Sequence, residues 1–179
     1  MCGHSYSWVQ SGDVAWNCPF FLAPSKTVKI YFPKYPFMHQ EKFTPDLIAP
    51  CGMNCGICKA YLAYSRGIPK KRGKVTHCSG CLPRNKNCFI KRGCKKLAKN
   101  EVKFCFECDD MPCANLDRLD RRYRTRYNMS MVENLKELKE KGMKEFLRNQ
   151  QKKYECRECG DVVSVHDRKC YACGHVTPL

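Results

Sequence analysis

The second half of the chain carries its clearest periodic pattern of apolar and polar residues. Leu116, Leu119, Tyr123 and Tyr127 recur at intervals of three and four, and charged residues fill most positions between them. Apolar residues at this spacing line one face of a helix. The pattern therefore predicts an amphipathic helix that begins near Asn115.

A second helix is predicted directly after the first. Ser130 and Glu133 have the spacing of a capping box, in which both side chains bond backbone N–H groups at the start of a helix. Leu135 and Leu138 follow at helical spacing. Gly142 predicts a break, beyond which the apolar stripe continues on a final helix.

Shorter elements are predicted elsewhere. Residues 59–66 have the composition of a short helix that ends at Gly67, and residues 95–99 predict another. Alternating apolar and polar residues over 27–32 predict a strand, and the alternation over 162–166 predicts a short hairpin.

Between these elements lies the central tract, residues 51–113, which is rich in cysteine and poor in aliphatic residues. Between residues 78 and 113 the aliphatic residues are Leu82, Ile90, Leu97 and Val102. Folding costs roughly 1–2 kcal/mol of chain entropy per residue, which so few apolar side chains do not offset. Metal binding is the expected source of stability, because a structural zinc contributes roughly 10–16 kcal/mol.

The cysteine spacing indicates metal coordination rather than disulfide bonds. Cys-x-x-Cys pairs recur at 55/58, 78/81, 105/108, 156/159 and 170/173. Two intervening residues let both sulfurs reach one ion from a tight turn. No secretory signal is evident at the N-terminus, and no stretch approaches the ~18 apolar residues of a membrane span. We therefore expect a reducing, cytoplasmic setting without a membrane partner.

The C-terminal segment carries the clearest metal motif. Two Cys-x-x-Cys-Gly sequences flank the alternating residues 162–166, and each Gly supplies the positive φ that the turn requires. The predicted ligands are Cys156, Cys159, Cys170 and Cys173. This arrangement predicts a zinc ribbon, with a mononuclear iron site as the alternative. His166 is not needed as a ligand, because four thiolates complete a tetrahedron.

The central tract supplies ten further predicted ligands, whose grouping the spacing leaves open. They are Cys51, Cys55, Cys58, Cys78, Cys81, Cys88, Cys94, Cys105, Cys108 and Cys113. The opening motif, Cys51-x3-Cys55-x2-Cys58, lacks a fourth thiolate, for which Cys113 is a candidate. In that grouping the pairs 78/81 and 105/108 share a second site. Cys88 and Cys94 then form a looser pair or replace one of these partners.

The chain is strongly basic, with 33 Lys and Arg against 17 Asp and Glu and a formal net charge of +16. Such a charge favours an RNA or DNA partner, through the basic loop 70–74 or the arginine-rich face of the first predicted helix. Metal-bound cysteines are thiolates, however, so three four-cysteine sites would lower the charge to about +10. Part of the basic excess therefore compensates sulfur charge.

We predict a small metal-stabilised α+β protein with a cysteine-rich, mostly helical and irregular core and a C-terminal zinc-ribbon hairpin. Residues 38–150 form the metal-binding domain, with a helical second half, and residues 151–179 form the zinc ribbon. Residues 1–37 are rich in aromatic residues and proline. We expect them to be a dispensable extension or the result of a misassigned start upstream of Met38.

The combination of motifs resembles a prokaryotic family of cysteine-rich proteins whose function is unknown. The matching features are Ala49-Pro50-Cys51-Gly52 with Cys55 and Cys58, Cys78-Ser-Gly-Cys81, Cys105-Phe-Glu-Cys108 with Met111-Pro112-Cys113, Leu119-Asp120-Arg121-Arg122-Tyr123, and the closing segment with Ser164-Val165-His166. The resemblance extends from about Met38 to Gly174. It implies metal binding and, since such proteins are common in anaerobes, favours iron–sulfur clusters in the central tract.

The opening motif also has the cysteine spacing of radical S-adenosylmethionine enzymes. Those enzymes place the motif on a β/α barrel, and barrels of this type need ~250 residues. About 120 residues follow Cys58, without alternating strands and helices, and Ile57 stands where those enzymes usually have an aromatic residue. These differences argue against a radical enzyme.

Three functions fit the sequence. The first is a non-catalytic metalloprotein that acts through an unidentified protein partner. It binds zinc, a 4Fe-4S cluster in the central tract, or both. The second is a nucleic-acid-binding zinc protein. The third is an iron–sulfur redox or metallocentre maturation protein. No Ser/His/Asp arrangement, carboxylate pair or Gly-rich phosphate loop supports a hydrolase or nucleotide-dependent enzyme, so we favour the non-catalytic function.

Overall fold

The computed structural model describes residues 41–84 and 89–177. The predicted extension, its strand at 27–32 and Cys88 lie outside the described residues. The helices are α1 Lys59–Ser65, α2 Cys81–Arg84, α3 Phe89–Arg92, α4 Lys95–Ala98, α5 Ala114–Tyr127 and α6 Met131–Lys153, with 3₁₀ turns at Pro45–Leu47, Cys55–Ile57 and Cys105–Glu107. The part of the chain so described is mostly helical, with little strand.

The five helices predicted from sequence are present, the last two as the parts of α6 before and after Gly142, and their ends follow the expected signals. Ser130 Oγ accepts a hydrogen bond from the backbone N–H of Glu133 at 3.0 Å, which confirms the N-terminal cap of α6. Gly142 has φ 76° and ψ 169°, so it interrupts α6 where the sequence predicted a break. Local sequence signals were sufficient for these elements.

Isolated antiparallel bridges stand in the described C-terminal segment where the sequence predicted a hairpin around residues 162–166, so a regular zinc-ribbon hairpin is not shown. Isolated bridges join Glu155 to Val162, Val163 to Cys170 and Lys169 to Val176. The backbone N–H of Val165 donates to the carbonyl of Ile57 at 3.0 Å instead of to a neighbouring strand. The alternation ends after Val163 because the chain there turns towards the central tract.

The core joins the central tract to the two long helices. Ile57 of the tract and Ile48 just before it are fully buried. They share the core with three fully buried residues of the long helices, which are Leu116 of α5 and Leu135 and Phe146 of α6. Three central cysteines, at positions 51, 55 and 105, are buried in the same cluster. The expectation that burial contributes little to this tract was therefore too strong, because the flanking helices supply the apolar partners that the tract itself lacks.

A buried carboxylate joins α5 to α6. Asp120 is only 4% exposed. Its Oδ1 accepts a hydrogen bond from Ser130 Oγ at 2.7 Å and from the backbone N–H of Val132 at 3.0 Å. The negative charge thus lies at the N-terminus of α6, where the helix dipole stabilises it. The corner between the helices is held by this carboxylate as well as by apolar packing.

The opening loop, residues 49–58, lies directly on the first turns of α6. Asn134 Nδ2 donates to the carbonyl of Gly52 at 2.9 Å, with both groups buried. Gly52 has φ +82°, and a Cβ at this position would lie 2.9 Å from the Leu135 side chain and from the Met131 carbonyl. Glycine is therefore required here both for its conformation and for its size.

The C-terminal segment also contacts the central tract through side chains. His166 accepts a hydrogen bond at Nδ1 from the backbone N–H of Lys59 at 3.4 Å, and its Nε2 lies 3.2 Å from the Tyr123 hydroxyl. Arg66 and Asp161 form an ion pair at 2.5 Å. The segment predicted as a zinc ribbon thus lies against α1 and α5.

Replacing Gly52 by alanine tests the close approach of the opening loop to α6. We expect Gly52→Ala to lower the free energy of unfolding by roughly 2–5 kcal/mol, as the sum of left-handed strain and overpacking. Gly67→Ala is the matched control, since Gly67 has φ +62° but a Cβ at that position would have no atom within 4 Å. It should cost only about 1–2 kcal/mol. Equal losses in urea unfolding would show that the contact with α6 is unimportant.

The burial of His166 predicts a pH dependence of stability. Burial, with a smaller effect of the Lys59 charge, lowers the pKa of His166 below its usual 6.5. As the pH falls, His166 is therefore protonated at a higher pH in the unfolded chain than in the folded protein. The free energy of unfolding consequently decreases as the pH drops below 6.5. We expect His166→Gln to remove a slope of at most about 1.4 kcal/mol per pH unit in that range. Acid release of metal from cysteines affects both proteins, so an unchanged slope in the variant would contradict the role assigned to His166.

Candidate metal centre

Four cysteines of the C-terminal segment converge on one point. The C-terminal quartet consists of Cys156, Cys159, Cys170 and Cys173, whose sulfurs all lie within 4.8 Å of one another. The Sγ atoms of Cys156 and Cys173 are 3.7 Å apart, and those of Cys159 and Cys170 are 3.5 Å apart. A Zn–S bond of about 2.3 Å gives a tetrahedral S–S edge of about 3.8 Å. The quartet therefore has the dimensions of a tetrathiolate site for one metal ion.

Two equivalent turns build this site. In the first turn, Gly160 N–H donates to the Cys156 carbonyl at 2.8 Å, and in the second, Gly174 N–H donates to the Cys170 carbonyl at 2.9 Å. Both glycines have positive φ, 73° and 79°. The repeated Cys-x-x-Cys-Gly sequence thus produces the same local structure twice, and the isolated bridges set the two turns face to face.

The backbone of the first turn also favours the thiolate form. The N–H of Cys159, assisted by that of Glu158, lowers the pKa of the Cys156 thiol to about 7. Cys156 and Cys170 are buried, whereas Cys159 and Cys173 are exposed. An ion can therefore reach the site from the solvent side.

Within the described ranges, no second group of three or more candidate ligands converges as closely. The cysteines of the central tract nevertheless fall into two neighbourhoods. We name as the loop quartet the set Cys55, Cys58, Cys78 and Cys81. We name as the cavity quartet the set Cys94, Cys105, Cys108 and Cys113. None of the described cysteines forms a disulfide.

Backbone contacts assemble the loop quartet. Cys81 N–H donates to the Sγ of Cys55 at 3.3 Å. Cys78 N–H donates to the carbonyl of Ala60, which places Cys78 beside Cys58 at the start of α1. Burial raises the pKa of the Cys58 thiol, and the nearby sulfur of Cys78 adds to the increase. The sequence pairs 55/58 and 78/81 thus lie side by side.

The cavity quartet lines a small cavity of about 30 Å³, together with apolar residues such as Leu97 and Leu116. Burial raises the pKa of the Cys105 thiol to about 12, and the charges of Cys51 and Cys113 add to this effect. Cys51 lies close to Cys105, because Cys105 N–H donates to the carbonyl of Pro50. Cys51 is not among the residues that line the cavity.

This arrangement differs from the grouping considered from the sequence. Cys113 was a candidate partner of the opening motif, and the pairs 78/81 and 105/108 were expected to share a site. In the structure, Cys113 lines the same cavity as Cys105, and the pair 78/81 lies beside 55/58. Cys51 lies near Cys105, and the chain continues from it through the 3₁₀ turn Cys55–Ile57 to Cys58.

Two cations close to cysteine sulfurs were not identified from the sequence. Lys96 Nζ lies 3.4 Å from the Sγ of Cys108 and 3.5 Å from a carboxylate oxygen of Asp110. Arg84 Nη1 lies 3.8 Å from the Sγ of Cys78. These contacts involve residues 6 and 12 positions away along the chain, and basic residues are too common in this sequence to single them out.

No described helix combines the length and apolar character needed to cross a membrane. Residues 47–118 match the model of a family described as "Protein of unknown function (DUF3795)". Neither curated proteins nor solved structures gave a match to the chain. The family match includes all ten central cysteines and ends before the C-terminal quartet. The match over residues 47–118, less than half of the chain, confirms the resemblance to a cysteine-rich family of unknown function that the cysteine motifs indicated.

Proposed function

We propose that this protein is a non-catalytic zinc-binding module that acts through a macromolecular partner, with the C-terminal quartet as a zinc-ribbon site. The observation that carries the proposal is the convergence of four thiols within 4.8 Å. Four thiolates in a tetrahedron form a closed structural site, without the open position that catalytic zinc keeps for water or substrate.

Zinc is favoured over mononuclear iron by the surroundings of the quartet. Cys159 and Cys173 are exposed. Zinc has no redox chemistry, so it tolerates solvent access that would leave an iron–thiolate site open to oxidation. Reduced thiols are required for binding, which supports a reducing compartment such as the cytoplasm. The bound ion would fix the two turns to each other and present the C-terminal segment as a rigid surface.

The test of the zinc site replaces an exposed cysteine ligand in the full chain, so that the core is left intact. We expect Cys159→Ser to lose one zinc per chain and to lower the melting temperature, because metal binding and folding are coupled. Cys159→His should retain zinc, since imidazole is also a zinc ligand. Ala172→Ser, an exposed change between the ligands of the second turn, is the control. Undiminished zinc in Cys159→Ser, measured by elemental analysis, would contradict the proposal.

A second candidate function is nucleic-acid binding, and a specific arrangement on α5 favours it. Arg118, Arg122 and Arg126 are all exposed and lie four residues apart, so they form a row along one face of the helix. Neither Arg122 nor Arg126 forms an ion pair within the described part of the chain. Other arginines of α5 are paired, as Arg121 is with Asp117 at 2.6 Å. Arg118 bonds Asn115 and stacks over the Phe89 ring, so Arg122 and Arg126 are the members of the row that are available for phosphate groups.

Salt dependence distinguishes this candidate from a protein partner. If the row contacts phosphates, replacing all three arginines by glutamine should reduce the slope of log K against log salt by about 2–3, at roughly 0.7–0.9 per lost contact. The matched control replaces Lys136, Lys139 and Lys144 of α6 by glutamine and removes the same charge. Equal effects of the two variants on binding to single-stranded RNA, or no binding by the parent protein, would exclude a nucleic-acid site on α5.

A further inference from the structure

The cavity quartet surrounds a space suited to a single metal ion. The cavity has a volume of about 30 Å³, close to the share of one molecule in liquid water. Its four cysteines come from three separate places in the chain: the start of α4, the 3₁₀ turn Cys105–Glu107 with the residue after it, and the residue before α5. Four sulfurs brought from distant positions around one small space have the donor set of a thiophilic ion such as Zn²⁺.

Most of the remaining lining of this cavity is apolar, and its polar residues are Asp110 and Asn115. Ile90, Leu97 and Leu116 contribute side chains that are almost completely buried. An ion bound by thiolates needs no other partner, and the apolar lining would shield its bonds to sulfur.

The loop quartet is supported by a different observation, a backbone hydrogen bond to a sulfur. Cys81 N–H donates to Cys55 Sγ at 3.3 Å, so the second Cys-x-x-Cys turn is already directed at a sulfur of the first. Amide groups that donate to sulfur stabilise the thiolate form that a metal requires. Two facing Cys-x-x-Cys pairs also repeat the ligand pattern of the C-terminal quartet.

Each central quartet has one cation within reach of a sulfur. Lys96 contacts Cys108 of the cavity quartet, and Arg84 contacts Cys78 of the loop quartet. Four thiolates on a divalent ion leave a charge of about −2, which nearby cations compensate. Lys96 also pairs with Asp110, and both cations are placed to offset part of the charge of a metal-bound quartet.

We propose that the central tract contains two separate tetrathiolate sites, each for one thiophilic ion such as Zn²⁺, formed by the cavity quartet and by the loop quartet. Binding at each site displaces the thiol protons to solvent and draws the sulfurs together. The proposal leaves Cys51 outside both sites, so the opening motif does not bind one metal as a unit. It rests on the proposed metal-binding function and extends it from one ion to three per chain.

Metal counting in the full chain, purified without oxygen, tests this partition. The parent protein should bind three zinc ions. Cys94→Ser and Cys78→Ser should each lose one ion, and combining them should lose two. Adding Cys113→Ser to Cys94→Ser should cause no further loss, because both residues serve the same site. Cys51→Ala is the control and should retain three ions, with helicity by circular dichroism verifying that each variant folds.

Thiol labelling of the parent protein provides a second test that does not depend on any variant folding. When a chelator removes the ions stepwise, the cysteines of one quartet should become alkylated together, as peptide mass spectrometry would show. Joint exposure of Cys51, Cys55 and Cys58 without the pair 78/81 would overturn the partition. Iron with inorganic sulfide in the central tract would overturn the single-ion assignment. One zinc per chain that Cys159→Ser removes would overturn this inference while leaving the proposed function intact.

Discussion

The contact on which the described structure most depends is that of the opening loop with α6. The carbonyl of Gly52 accepts a hydrogen bond from Asn134, and the backbone lies so close to the helix that a Cβ would not fit. At the other end of the loop, the carbonyl of Ile57 accepts a hydrogen bond from Val165 of the C-terminal segment. The loop is therefore held between the helical half and the C-terminal segment, which fixes the positions of its three cysteines.

This position of the loop has a direct consequence for the metal chemistry. Cys51 lies at the end of the loop near Cys105, whereas Cys55 and Cys58 lie where the chain meets the pair 78/81. The three cysteines of one motif thus have different neighbouring cysteines in space. The loop contributes both Ile57 and the buried Cys51 and Cys55 to the core, so apolar packing and cysteine side chains hold the central tract together.

The basic character of the chain has two different structural roles. Lys96 and Arg84 contact cysteine sulfurs, where their charge would balance the thiolates of the proposed metal sites. The arginine row of α5 faces solvent and has no such function. A formal charge of +16 therefore overstates the charge available to a partner, because part of it is used inside the protein. The arginine row remains the part of the surface best suited to an anionic partner.

Local signals in the sequence were sufficient for the helices and for the two C-terminal turns. Ser130 capped its helix, Gly142 interrupted it, and each Cys-x-x-Cys-Gly sequence formed a turn with positive φ at glycine. These features depend on residues a few positions apart, so the chain needs no distant partner to specify them.

Tertiary structure alone decided which distant groups meet. The sequence placed Asp120 among the charged residues of an amphipathic helix, yet it is buried because it caps the next helix. The alternation after Cys159 predicted a hairpin, but Val165 bonds to Ile57 instead. Spacing likewise defined the Cys-x-x-Cys pairs without determining which pairs face each other. Ligand grouping depends on the path of the chain between pairs, and that path is set by the packing of the opening loop between α6 and the C-terminal segment.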